Sequence, residues 1–179
     1  MPAISTGQLP SDALLQSYAQ DGSYTDCYHM DLPGAVAIDA YIVAFYTSSL
    51  FKIERRILAL LARKPASDAD AKALALGQTA RFSAWSVEQR ADNQLLLRDF
   101  LGRTRSWLMV EPTGHVDALS TRLYFGSAVV PKSTSASGER SFGFAFHALS
   151  GFHRLYTRAL MRSAQSKLTA SEPGTSRPV

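Results

Sequence analysis

The spacing of apolar residues along this chain changes period twice, and no motif constrains its fold as strongly. Up to about residue 81 helical spacing dominates, from 82 to 130 the repeat is two, and from about 145 the helical repeat returns. Side chains share a face every third or fourth residue in a helix and every second residue in a strand. The pattern predicts an α+β chain: early helices, an antiparallel sheet, then one long C-terminal helix packed on that sheet.

The first part follows from local signals. Residues 1–10 read as a flexible leader. Ser11 caps a short helix carrying Ala13, Leu14, Leu15 and Tyr18, which ends near Gly22. Tyr24–Leu32 alternates as a strand, with Tyr24, Asp26, Tyr28, Met30 and Leu32 on one side and Thr25, Cys27, His29 and Asp31 on the other. Pro33-Gly34 marks a turn. Two helical stretches follow. The first places Ile38, Tyr41, Ile42 and Phe45 on one face. The second, capped by Ser48 or Ser49, carries a stripe of Leu50, Ile53, Ile57 and Leu61, with Lys52, Arg55 and Arg63 on the far side and Pro65 beyond its end. Asp68–Leu76 reads as a short extra helix stopped by Gly77.

Four strands are then expected, at Phe82–Gln89, Gln94–Phe100, Thr104–Glu111 and Thr121–Val130. Their turns at Asp92-Asn93, Gly102 and Thr113-Gly114 are short enough only for an antiparallel meander. The Ser- and Gly-rich stretch from Pro131 to Ser141 reads as a mobile loop. In the last helix, from about Ala145 to Leu168, Leu149, Phe152, Tyr156 and Leu160 lie opposite Arg154, Arg158 and Arg162. Residues 11–168 thus read as one domain and 169–179 as a disordered tail.

Composition narrows the function classes. With 179 residues, 46% of them hydrophobic and 19% charged, the chain can bury a substantial core as one unit. Its single cysteine, Cys27, excludes an internal disulfide, and the expected compartment is reducing and cytoplasmic. No basic patch precedes an apolar run at the N-terminus, so no signal peptide is expected. The stretch from Ala35 to Phe51 is interrupted by Asp39 and by Thr47, Ser48 and Ser49, and reads as a buried helix, not a membrane span. A net charge of +4 without a block of like charges argues against nucleic acid. The three helix arginines read as a solvated face.

Signatures of cofactor chemistry are absent: no phosphate-cradling loop, no dinucleotide fingerprint and no nucleophile elbow. No cofactor is expected. No metal is expected either, because Cys27 and His29 are too close and too few, and His147 and His153 sit six apart on different helix faces.

Candidate site residues come from the meander and the last helix. His153 flanks the apolar face of that helix and is the candidate general base, although a packed, satisfied histidine has the same signature. Phe152 and Tyr156 accompany it. Trp85, Trp107 and Tyr124 are candidate pocket aromatics, which core packing would equally explain. Arg98 and Arg105, with Arg103, could receive a carboxylate or phosphate, or lie on a solvated turn. Glu54 flanks the stripe of the second early helix, either as a carboxylate of raised pKa or as a partner of the helix dipole or an arginine. Asp26 is expected to be buried, with Arg98 or Arg105 as its partner.

The meander strands are apolar on both parities, for example Leu95 and Leu97 against Leu96. An antiparallel sheet with one wet face alternates cleanly. The second face is therefore expected to be covered by the early helices or by another copy of the chain. Three functions compete: a binder of a small apolar ligand, an interaction module without a cavity, and an enzyme using His153.

The order of elements resembles the helix-grip arrangement of the Bet v 1-like superfamily, which includes START domains and polyketide cyclases. Tyr24-Thr25-Asp26-Cys27, Phe45-Tyr46-Thr47, Phe51-Lys52-Ile53-Glu54-Arg55, Asp99-Phe100-Leu101-Gly102-Arg103-Thr104-Arg105-Ser106-Trp107 and Gly151-Phe152-His153-Arg154-Leu155-Tyr156 are similar to an uncharacterised bacterial family associated with that superfamily. The likeness runs from about Ser23 to Leu168. It implies an apolar ligand held between a curved sheet and the C-terminal helix. The strands read here fall a strand or two short of the full superfamily sheet.

Overall fold

A computed structural model describes residues 2–115, 118–131, 133–134, 140–141 and 144–171, with side-chain surroundings at these positions except 61–62, 115, 133–134, 140–141, 144–153 and 171. In chain order, β1 is Ser5–Thr6, α1 is Gln16–Gln20 and β2 is Tyr24–Pro33. Then come α2 (Ile38–Tyr46), α3 (Ser49–Ala62) and α4 (Asp68–Ala75). The meander is β3 (Arg81–Phe82), β4 (Trp85–Ala91), β5 (Gln94–Asp99), β6 (Thr104–His115) and β7 (Ala118–Val129). β8 (Ser133–Thr134) and β9 (Arg140–Ser141) form a separate ribbon, and α5 is Phe144–Ser171.

The fold is α+β. Seven strands make one open antiparallel sheet in the order β1-β2-β7-β6-β5-β4-β3, with α5 packed against it. Two strands beyond the sequence reading complete it. Ser5–Thr6, in the expected leader, pair with His29 and Tyr28 at one edge. At the other edge the expected strand Phe82–Gln89 is divided by Ser83, whose φ is +53°, so that Arg81–Phe82 fold back on Ser86 and Trp85.

The period-two pattern assigns the faces as expected. Tyr28, Met30, Leu32, Leu95, Leu97, Leu108, Leu123 and Phe125 share a core with α2, α4 and Leu160, Met161 and Ala164 of α5. Phe45 anchors α2 by stacking on Phe125 with centroids 5.0 Å apart. Cys27, Leu96, Trp107, Met109 and Tyr124 on the opposite face form a second core with Ala13 and Leu15, flanked by Leu9, Leu14 and Tyr18. The chain thus covers its own second face, and the apolar surface that motivated a second copy is already buried.

The covering segment is only partly helical. Its helix starts at Gln16, not near Ser11, and Ala13–Leu15 reach the sheet through turns. Gln94 fixes it: its Oε1 accepts from Leu14 N and Trp107 Nε1, each at 2.9 Å, and its Nε2 donates to Asp12 O at 3.0 Å. One amide thus satisfies the buried Trp107 N–H and ties the N-terminal segment to the sheet.

Helix α3 is rolled relative to its sequence pattern. Ser48 caps it, accepting from Phe51 N at 3.3 Å. Ile53 and Ile57 of the apolar stripe stay 53% and 51% exposed, whereas Arg55, expected on the wet side, is buried. Arg55 reaches Asp68 at the start of α4 at 2.5 Å, and Lys52 meets the same carboxylate at 2.6 Å. This clamp turns the stripe away from the main core. No helix among the described residues is long and apolar enough to cross a membrane.

Candidate ligand-binding site

The rows of side chains crossing the sheet explain where it leaves space. Toward one end, Leu123, Met30 and Val110 lie side by side across β7, β2 and β6 and fill the gap beneath α2. Toward the other end the corresponding row is Asp26, Ser127 and Ser106. Small polar side chains replace large apolar ones there, and α3 and α5 do not close the gap. A cavity of about 870 Å³ results.

Its sheet side includes Tyr24, Thr104, Ser106, Phe125 and Ser127, with Trp85 from β4. Leu50, Ile53 and Ile57 of α3 form one wall, and Leu155, Tyr156, Thr157 and Leu160 of α5 form another. The stripe that α3 withholds from the core therefore faces this space. Leu155, 69% exposed, together with Ile53 and Ile57, makes an apolar rim open to solvent.

Polar groups are few and fixed in place. The Tyr156 hydroxyl donates to Glu54 Oε2, joining α5 to α3 across the cavity. Burial pushes the Glu54 carboxyl above the ordinary glutamate range, against the opposing effect of the Tyr156 hydrogen bond. Burial and the adjacent Glu54 charge raise the Tyr156 phenol as well. At the α2 end, the Tyr46 hydroxyl lies 3.2 Å from Ser106 Oγ. Asp26 Oδ1 accepts from both the backbone N and the hydroxyl of Ser127, at 2.8 Å each. Among the described residues, two further polar atoms of cavity residues, Trp85 Nε1 and Thr157 Oγ1, are buried without a hydrogen-bond partner.

The candidate residues separate into groups. Trp85 and Tyr156 do line the cavity. Trp107 and Tyr124 do not: strand parity puts them in the second core, with Trp107 bonded to Gln94 and Tyr124 donating to Glu111 at 2.6 Å. Arg105 borders the cavity, yet its guanidinium belongs to the other face. There it meets Glu88 at 2.8 Å, donates to the Tyr18 hydroxyl at 2.8 Å and to Gly102 O at 2.9 Å, and lies over the Tyr18 ring. Arg98 stands 4.0 Å from the same Glu88 and is largely exposed. Both arginines thus face the carboxylate of Glu88 and do not form an open anion receptor. Nor do they partner Asp26, which faces the opposite side and is bonded to Ser127. The side chains of Phe152 and His153 lie outside the described residues. The Glu54–Tyr156 pair was half visible in the sequence, because Glu54 flanks one apolar stripe and Tyr156 belongs to another, but their meeting depends on the roll of α3.

Among the described residues, no cluster of three His, Cys, Asp or Glu side chains could hold a metal ion. Cys27 is buried, and burial, with a contribution from the Asp26 charge, raises its thiol to about 11, far from a reactive thiolate.

Fold and site together define a class: an α+β protein whose open antiparallel sheet, with α3 and its terminal helix, encloses an apolar cavity with a polar pair in its wall. Comparison of the chain with known protein families, with curated proteins and with solved structures finds no match.

Proposed function

We propose that this chain binds a small apolar or amphipathic molecule between its sheet and helices α3 and α5, in the manner of helix-grip proteins. The cavity carries the reading. At about 870 Å³ it lies within the size range of small-molecule sites, and most of its lining is apolar with a few placed polar groups. A module that only receives a protein partner has no need of such a space inside the fold. Catalysis calls for converging acid, base and electrophilic groups. Among the described residues, the cavity offers one carboxyl–phenol pair and no histidine.

Native mass spectrometry of the protein purified from its host provides the test. A bound small molecule, retained by the wild type and lost from a Ser127→Trp variant that fills the space, is the expected outcome. A protein that carries nothing, and takes up no apolar probe after delipidation, would end the proposal. The lone buried Cys27 suits a reducing compartment for this activity.

A further inference from the structure

The mouth of the cavity is apolar where it meets water. Ile53 and Ile57 of α3 and Leu155 of α5 line it and stay largely exposed. Leu60, almost one turn beyond Ile57, is 81% exposed. The β5–β6 hairpin turns at the same end of the sheet, since Thr104 at the start of β6 lines the cavity, and its tip presents Phe100 and Leu101 to solvent. One exposed apolar side chain needs no explanation, but a group of them at one end of a molecule marks a contact surface.

Charge decides what that surface meets. Helix α3 and the two residues after it carry five Lys and Arg and one carboxylate, Glu54, which lies in the cavity wall. Asp68 takes Lys52 and Arg55, and Arg56, Arg63 and Lys64 stay exposed. Helix α5 carries four cations and no carboxylate. Its Arg154, Arg158 and Arg162 are exposed, and among the described residues neither they nor Arg56 meet a carboxylate. Residues three apart are neighbours on a helix, so Arg56 stands beside Ile53 and Arg158 beside Leu155. Outward from the mouth, each helix passes from apolar to cationic, the arrangement that lies in the boundary of an anionic bilayer. A second copy would bring two cationic rims together, and a nucleic-acid backbone would answer the cations but leave the apolar side chains in water.

We propose that the mouth end of this protein docks on an anionic membrane surface, with Ile53, Ile57, Leu60 and Leu155 reaching the acyl boundary and the arginines of α3 and α5 meeting lipid phosphates. Docking goes beyond ligand binding and stands whether or not the cavity is filled.

Flotation of the full chain with vesicles tests it, using phosphatidylcholine alone and phosphatidylcholine with added phosphatidylglycerol. Binding should be at least about tenfold tighter to the anionic vesicles at low salt and should fall as salt screens the charges. Arg158→Ala should weaken it about fivefold, the share of one cation near the surface. Leu60→Ser should weaken it about tenfold through lost apolar contact. Leu119→Ser, at an exposed position on the opposite end of the sheet, should change nothing. All three positions are exposed, so the variants should fold. No flotation with either vesicle, equal binding to both, or equal losses from Leu60→Ser and Leu119→Ser overturns the proposal. So does a duplex RNA bound in place of vesicles and sensitive to Arg158→Ala alone, or a dimer seen by light scattering that Leu60→Ser dissolves while vesicles are ignored.

Discussion

Three residues show how strongly neighbours set the role of a residue in this protein. Gly126 lies where β2, β6 and the N-terminal segment meet. A Cβ there would stand 2.7 Å from Asp26 O, 2.9 Å from the Trp107 ring and 3.1 Å from Leu15. Gly126→Ala is therefore expected to destabilise the fold by roughly 1–3 kcal/mol, the usual range for overpacking, read by urea denaturation. Gln94 is the single amide holding Asp12, Leu14 and Trp107. Replacing it with leucine leaves the buried Trp107 N–H unanswered and should cost about 1–3 kcal/mol, the penalty for one buried polar group left bare. The same variant should raise amide exchange in residues 9–18 before the rest of the chain opens. Glu54 titrates with the opposite sign to most carboxylates. Its pKa is raised on folding, mainly by burial, so the stability linked to its proton is complete below the ordinary glutamate range and is lost as pH rises through the folded value. Glu54→Gln should thus gain on the wild type between acid and neutral pH, and the two denaturation midpoints should converge at low pH. A wild type more stable than Glu54→Gln at neutral pH, with the difference closing on acidification, would show that the carboxylate is stabilised and not desolvated.

Among the elements, α3 makes one wall of the cavity, and α4 holds it in place through the Asp68 carboxylate. Helix α4 is short and depends on its start, where Ser67 and Asp70 form a reciprocal capping box. The Asp68 carboxylate beside it receives Lys52 and Arg55 from α3. Burial acts upward on Asp68, but the hydrogen bonds from Lys52 and Arg55 outweigh it and hold it below the usual range. Losing Asp68 would leave Arg55 buried without its counter-charge, a large penalty compared with that for an exposed pair. Asp68→Asn should therefore weaken ligand binding as well as stability, because α3 loses the tether that turns Ile53 and Ile57 toward the cavity. Ser67→Ala should cost about 1 kcal/mol, the ordinary value of a helix cap, with less effect on binding. Thermal denaturation with and without a bound probe separates the two variants.

Across the whole molecule, folding makes two cores on one sheet, and the cavity is where the larger core stops. Acid should loosen the fold through Asp31, Asp68 and Asp70, all held low by their partners, chiefly the Arg122 hydrogen bond at Asp31 and the Ser67 hydrogen bonds at Asp70. Lowered values mean that this stability is present above the ordinary aspartate range and is lost as pH falls through the folded values. The fold class and the strand faces could be read in advance because they depend on periodicity, a property of neighbours in the chain. Tyr28, Met30 and Leu32 facing away from Cys27 needed nothing further, whereas placing Trp107 and Tyr124 on the face of Cys27 took the pairing register between strands, which parity within one strand does not supply. The two added edge strands are too short for any repeat to announce. The roll of α3, the spending of Arg105 on Glu88, and the meeting of Glu54 with Tyr156 could not be read, because each joins residues far apart in the chain: 102 positions separate the last pair. Local spacing tells a side chain which way to point, but the partner it finds there depends on how segments are brought together, and it is at that level that this protein acquires a cavity.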